Sequence, residues 1–139
     1  MRAEAERELR AGRADVWAFL AEPFHLADWW PGISGVVPDR RGFAPGARWQ
    51  VRGNRWSNPF TGRRPVEQLL VVGEIDQYER WSFHLVAERL DAEVRLRARG
   101  PERTLVTVTV EGGWLLGGRG SLARKAVERL HALVQTAPP

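Results

Sequence analysis

His25, His84 and His131 are the side chains of this 139-residue chain best suited to moving a proton near neutral pH. They lie in three separate stretches without metal-ligand spacing, and there is no cysteine to supply a thiolate, so no metal and no disulfide is expected. His84 alternates with Trp81, Phe83 and Leu85, so it points outward if those large side chains point inward. His25 sits near a turn between two short helical stretches, where it could act as a general acid or base or be a solvated helix position. His131 follows Leu130 at the edge of an apolar stripe and is assigned no role. The chain carries no phosphate loop, no dinucleotide fingerprint after a strand, no His-Glu-x-x-His and no Gly-x-Ser-x-Gly, so no cofactor is expected either.

The stronger chemical signal is aromatic. Seven tryptophans, at 17, 29, 30, 49, 56, 81 and 114, are many for this length, and each joins a large apolar surface to one hydrogen-bond donor. They can line a pocket for flat or ring-containing molecules, or they can fill the core of a small domain. Trp49, Trp56 and Trp81 are the pocket candidates, with Val51, Leu69, Val71, Phe83, Val94 and Val108 as lining, assigned by strand parity that a bulge would invert. If Trp49 or Trp81 lines a pocket, replacing it with alanine costs ligand affinity more than stability; a loss of about 3 to 5 kcal/mol in stability marks a core ring instead. Arg52, Glu74 and Asp28 are expected to be exposed, and Arg95, Arg97 and Arg99 form a basic stripe on one strand, most simply a solvated outer face.

The elements that must position these residues follow from periodicity. Residues 3 to 10 alternate charged and smaller side chains, which suits a half-exposed strand. Asp15, Val16, Phe19 and Leu20 recur at helical spacing until Pro23, predicting a helix over 14–21, and residues 24–30 form a second short helical segment ended by Pro31-Gly32. Strand signals then follow at 33–37, 48–53, 66–75, 81–86, 90–98 and 105–111, separated by turn residues such as Pro45-Gly46 and Asp76-Gln77. Leu90, Ala92, Val94, Leu96 and Ala98 oppose Asp91, Glu93, Arg95, Arg97 and Arg99, so one sheet face is dry and the other wet. Leu122, Ala126, Leu130, Leu133 and Val134 define an amphipathic closing helix over 119–136, entered through a glycine-rich stretch at 112, 113, 117 and 118. The segment 52–65 is a candidate mobile rim.

Composition bounds the answer. The length suits one domain, residues 1–139, and 43% apolar with 27% charged residues excludes a disordered or membrane-embedded chain. The formal charge of +4 is spread along the chain, with Lys125 the only lysine, so no nucleic-acid footprint is expected. No apolar run reaches the length of a membrane span, and Met1 to Glu8 lacks the apolar stretch of a secretory signal, so a cytoplasmic location is expected.

The order of elements, together with Ala14-Asp15-Val16-Trp17-Ala18-Phe19-Leu20-Ala21-Glu22-Pro23, the Trp29-Trp30-Pro31-Gly32 turn, Arg80-Trp81-Ser82-Phe83 and the strand Thr104 to Val110, resembles the Bet v 1-like and START-like (SRPBCC) superfamily and its polyketide cyclase/dehydrase-like members. The resemblance covers nearly the whole chain. It implies an α+β helix-grip fold, in which a curved antiparallel sheet of about seven strands wraps around a long C-terminal helix, with two short helices after the first strand. It also implies an apolar cavity that holds a small hydrophobic or aromatic molecule, with His25 near its entrance. The alternatives are a polyketide aromatase, cyclase or dehydratase using the same cavity, which needs at least two polar groups converging on it, and an interaction protein using the Arg stripe or a sheet edge. A homodimer is compatible with all three.

Overall fold

A computed structural model describes residues 2–53, 66–112 and 119–136. In chain order the elements are β1 (Arg2–Leu9), α1 (Arg13–Leu20), a 3-10 turn (Pro23–His25), α2 (Leu26–Trp29), β2 (Ile33–Val37), β3 (Arg48–Gly53), β4 (Val66–Asp76), β5 (Arg80–Leu85), β6 (Leu90–Gly100), β7 (Arg103–Gly112) and α3 (Arg119–Leu133). This is the α+β helix-grip arrangement. The boundaries expected from periodicity agree to within two or three residues, and the segment expected over 24–30 divides into the 3-10 turn and α2 because Pro23 fixes the first turn and Glu22 caps it through Phe24 N–H.

All seven strands pair antiparallel in the order β1-β7-β6-β5-β4-β3-β2. Consecutive strands β2 to β7 are therefore neighbours, whereas β1 and β2 lie at opposite edges. The intervening chain must cross six strand spacings, about 29 Å at roughly 4.8 Å each. The two short helices make that crossing. Register shifts at Ile33/Gly35, Val72/Ile75 and Ala98/Gly100 are the points at which extra residues bend the sheet.

Strict alternation on β5 and β7 puts Trp81, Phe83 and Leu85, and Val106, Val108 and Val110, on the dry face. Helix α3 lies against β1 and β7 and buries Leu122, Ala123, Ala126, Val127 and Leu130, with Val134 buried just past its end. Leu133, expected in this stripe, is 49% exposed, and Val127 takes its place. The two alanines let the helix axis approach the strands closely. Polar clips fix its ends. Arg7 on β1 holds both carboxylate oxygens of Glu128 at 2.5 and 2.6 Å, the Arg10 N–H donates to Gln135 Oε1 at 3.1 Å, and the Thr136 N–H donates to the Arg10 carbonyl at 2.9 Å. The buried Thr104 hydroxyl donates to the Ala11 carbonyl at 2.7 Å and ties the start of the crossing to β7.

The far end of the crossing is sterically defined. Gly32 adopts φ +86°, and a Cβ on its neighbour Gly53 would lie 1.8 Å from the Gly32 carbonyl oxygen. Gly53→Ala is expected to cost more than about 2 kcal/mol in urea unfolding. Gly35→Ala on the adjacent strand, where the nearest atom is Arg52 Cβ at 3.9 Å, should cost well under half of that.

Candidate functional site

Trp49 and Val51 from β3, Trp81 and Phe83 from β5, Val94 from β6 and Val108 from β7 meet on the inner face, each at most 2% exposed. Leu69 and Val71 do not join them. Both are half-buried on the outer face, and the inner positions of β4 belong to Gln68, Leu70 and Val72. The register explains the correction: Leu70 stands opposite Trp49 and Leu85, and Val72 opposite Phe83. Four consecutive apolar residues, Leu69 to Val72, carry no alternation from which parity could be read. Trp56 and the rim assigned to 52–65, apart from Arg52 and Gly53, lie outside the described residues, as do Gly113, Gly117 and Gly118.

Eight rings form one continuous band. Trp17 meets Phe43 at 5.7 Å between centroids and Tyr78 at 6.3 Å; Phe43 meets Trp81 at 5.1 Å. Trp81 in turn meets Phe83 at 4.8 Å, Trp49 at 6.0 Å and Trp29 at 6.5 Å. Trp29 and Trp30 meet edge to face at 5.5 Å, and Trp30 closes the band on Phe83 at 5.0 Å. Trp29 and Trp30 join the band although they are not among the sequence candidates; adjacent helical residues point about 100° apart and cannot both face one surface. Trp30 escapes that limit by leaving the helix, with φ −87° and ψ 118°, so both rings turn inward and are 0% exposed. The readable signal was the Pro31-Gly32 stop placed directly after the pair.

The donors on these rings divide sharply. The Trp49 indole N–H donates to the Gly42 carbonyl at 2.8 Å. That carbonyl is presented by a loop organised on Asp39, whose carboxylate accepts the N–H groups of Arg48 at 2.9 Å, Arg41 at 3.0 Å and Gly42 at 3.2 Å. These bonds, that from Arg48 foremost, outweigh partial desolvation and hold the Asp39 carboxyl below its ordinary range. By contrast, among the described residues the indole N–H groups of Trp29, Trp30 and Trp81 have no hydrogen-bond partner, and neither has the side-chain amide nitrogen of Gln68, whose oxygen accepts the Ala87 N–H at 3.0 Å. An unmet buried donor costs about 1 to 3 kcal/mol. Gln68, 5% exposed, is a polar inner-face residue that period-two reading of an apolar run passes over.

The remaining candidates are outside this face. His25 stacks on Phe19 at 4.2 Å and its Nδ1 lies 2.8 Å from the Phe19 carbonyl, so it fastens the 3-10 turn to α1. His84 points outward as expected and pairs with Asp91 at 2.9 Å; His131 lies 3.5 Å from Arg7. Arg52, Glu74 and Asp28 are exposed. In the stripe of β6, Arg95 is paired with Glu93, and the neighbouring Arg80 is held charged chiefly by its bond to Asp76, with Glu74 and Glu93 nearby, so the outer face is a mixed field of both signs. No group of three or more metal-ligating side chains occurs among the described residues.

Solved structures match this arrangement over almost its whole length. A START superfamily protein from Mycobacterium smegmatis superposes with a TM-score of 0.68 at 14% identity, covering 96% of this chain and 94% of its own. An AHSA1-like protein from Aeromonas hydrophila gives 0.70 at 14% identity, covering 95% and 90%. This chain has the START-like helix-grip fold. The same fold matches the di-domain ARO/CYC protein BexL of the BE-7585A biosynthetic pathway, with a TM-score of 0.67 at 15% identity, 95% of this chain and 45% of that one. No family model and no curated protein matches the sequence. Among the described residues, no helix of this helix-grip domain is long and apolar enough to cross a membrane.

The Asp39 loop yields a pH prediction. A carboxyl with a lowered folded pKa adds stability above its unfolded value near 3.8 and loses it as pH falls through the folded value. Asp39→Asn should therefore melt below the wild type at pH 7, with the gap closing in thermal unfolding as the pH is lowered past that range.

Proposed function

We propose that this helix-grip domain binds a small hydrophobic, ring-containing molecule on its inner face, between the short helix α2 and strand β5. The observation that carries the reading is the aromatic band that ends at Trp29, Trp30 and Trp81, whose three buried indole donors have no hydrogen-bond partner among the described residues. Apolar walls with a few polar anchors are what small-molecule sites are made of. The rings touch one another, and none of Trp29, Trp30, Trp81 and Phe83 is more than 2% exposed. Admission of a guest therefore requires α2 to move. Four helical residues between a 3-10 turn and Pro31-Gly32 form a small unit with little cooperative stability of its own, the kind of segment that opens locally.

Lining roles thus fall to Trp81 and Phe83, with Val94 and Val108 behind them and Trp49 and Val51 as the fixed wall of β3. The likeness to START, AHSA1 and ARO/CYC proteins supports a ligand-holding role. Binding is favoured over turnover because the buried polar side chains described, Gln68 and Thr104, do not titrate, and the Thr104 hydroxyl is committed to Ala11. The setting we infer is cytoplasmic, with the domain acting as a carrier or sequestering protein that needs no cofactor.

Native mass spectrometry of gently purified protein, followed by thermal-shift titration with fatty acids, sterols and polycyclic aromatics, tests this. A stoichiometric guest is expected, and a compound present at a hundred times its Kd should stabilise the fold by about 2.7 kcal/mol. Protein that carries nothing and melts at one temperature throughout the panel would contradict the reading.

A further inference from the structure

The outer face of the sheet orders its charges along three adjacent strands at one edge. There β1 presents Arg2, Glu4, Glu6 and Glu8, and β6 presents Asp91, Glu93, Arg95 and Arg97. Between them β7 offers the half-buried Leu105, Thr107 and Thr109 before it reaches Glu111. The short side chains floor a groove of about 660 Å3 around Leu105 and Thr107, with Glu6 on one side and Arg95 and Arg97 on the other. Register fixes which charges stand level. Through Thr107 the pairing sets Glu6 level with Arg95, through Leu105 Glu8 with Arg97, and through Glu111 Arg2 with Asp91; Glu4 and Glu93, level through Thr109, are the row of like sign. Within the domain these opposites do not meet. Glu6, Glu8 and Arg97 have no ion-pair partner among the described residues, Arg95 turns to Glu93, and Asp91 pairs with His84.

A second copy supplies what each wall lacks. Turned face to face about a two-fold axis that runs along β7, each copy lays its β1 over the partner's β6 while every row keeps its level. Glu6 then faces the partner's Arg95, Glu8 the partner's Arg97 and Arg2 the partner's Asp91, each contact made twice. An axis across the strands would instead lay β1 over β1, glutamate against glutamate. The row of like sign is neutralised inside each copy, since Glu4 accepts from the Thr109 hydroxyl at 3.2 Å and lies 3.7 Å from Arg2, and Glu93 is held by Arg95. Glu111 lies at the end of the groove, level with Arg2. Sheets packed face to face stand about 10 Å apart, and arginine stems fill the space that the threonines leave. We propose that this outer face of β1, β7 and β6 is the interface of a weak, salt-sensitive homodimer. Three strands over the eight residues of β1 present about 14 by 27 Å, close to 400 Å2 per copy, which is the size of a transient contact. The inner face takes no part in it.

Sedimentation velocity of the intact protein tests this. At low salt the average mass should rise from that of one chain toward that of two between about 10 μM and about 1 mM protein, and it should fall back near 0.5 M salt, where the Debye length is only about 4 Å. Glu8→Arg and Arg97→Glu alter exposed side chains, and each sets like charges face to face twice, so each should weaken the dimer by about tenfold or more. Mixed in equal amounts, the two variants should dimerise as the wild type does, because each new charge faces its opposite in the other variant. No rearrangement within one chain produces that rescue. Near-UV circular dichroism establishes that both variants are folded, and the wild-type dependence on concentration and salt stands without them. A wild type that stays monomeric at low salt across the whole range overturns a second copy as the occupant and leaves the face to a different protein or to solvent. A dimer indifferent to salt and to both substitutions, or a mixture that stays monomeric as each variant does alone, overturns this surface as the interface.

Discussion

A seven-stranded sheet is about 29 Å wide across its six strand spacings, whereas one α-helix covers only about 10 to 12 Å. The dry face of this sheet is therefore far too broad for α3 alone. The rest must be covered by the segment that carries the chain from β1 to β2, and that segment has only α1, a 3-10 turn and the four residues of α2 to offer. Large side chains make up the difference. Tryptophan supplies the most area per residue, which is why rings from the crossing, from the loop at Phe43 and from β3 and β5 merge into one band. The same geometry separates a part held by polar clips, α3 with its Arg7 and Arg10 anchors at the β1 side, from the part around α2, which is held by the packing of Leu26, Trp29 and Trp30.

Filling a surface with indoles has a chemical consequence. Each ring brings an N–H into a region where protein acceptors are scarce, because strand carbonyls are committed to the ladder. Trp49 is accommodated by a purpose-built loop whose Gly42 carbonyl is held in place through Asp39. Trp29, Trp30 and Trp81 have no such loop. Their donors have no hydrogen-bond partner among the described residues, at a cost of about 1 to 3 kcal/mol each.

Much of this was legible in the sequence. Alternation in Leu90 to Arg99, the proline stops and the stripe of the last helix located every element, since each pattern directly reports which side is dry. Legibility failed where the pattern was degenerate. The run Leu69 to Val72 is apolar on both parities, so only pairing with Trp49 and Phe83 decides that Leu70 and Val72 point inward. Trp29 and Trp30 share the inner face through a change of backbone conformation at Trp30 that periodicity does not encode. Leu133 lies outside the buried stripe and Val127, which the expected stripe did not include, lies inside it, so the face that meets the sheet is turned from the one the apolar spacing marks. The bonding state of the indoles, on which the functional reading depends, is a property of three dimensions alone.

That state can be observed directly. In a 1H–15N spectrum of the ligand-free protein with assigned indole resonances, a hydrogen-bonded N–H lies downfield of one without an oxygen partner. The account predicts Trp49 downfield and Trp29, Trp30 and Trp81 upfield. Trp29, Trp30 and Trp81 lying as far downfield as Trp49 would show that their donors are already satisfied, and would contradict the observation on which the proposed binding function rests.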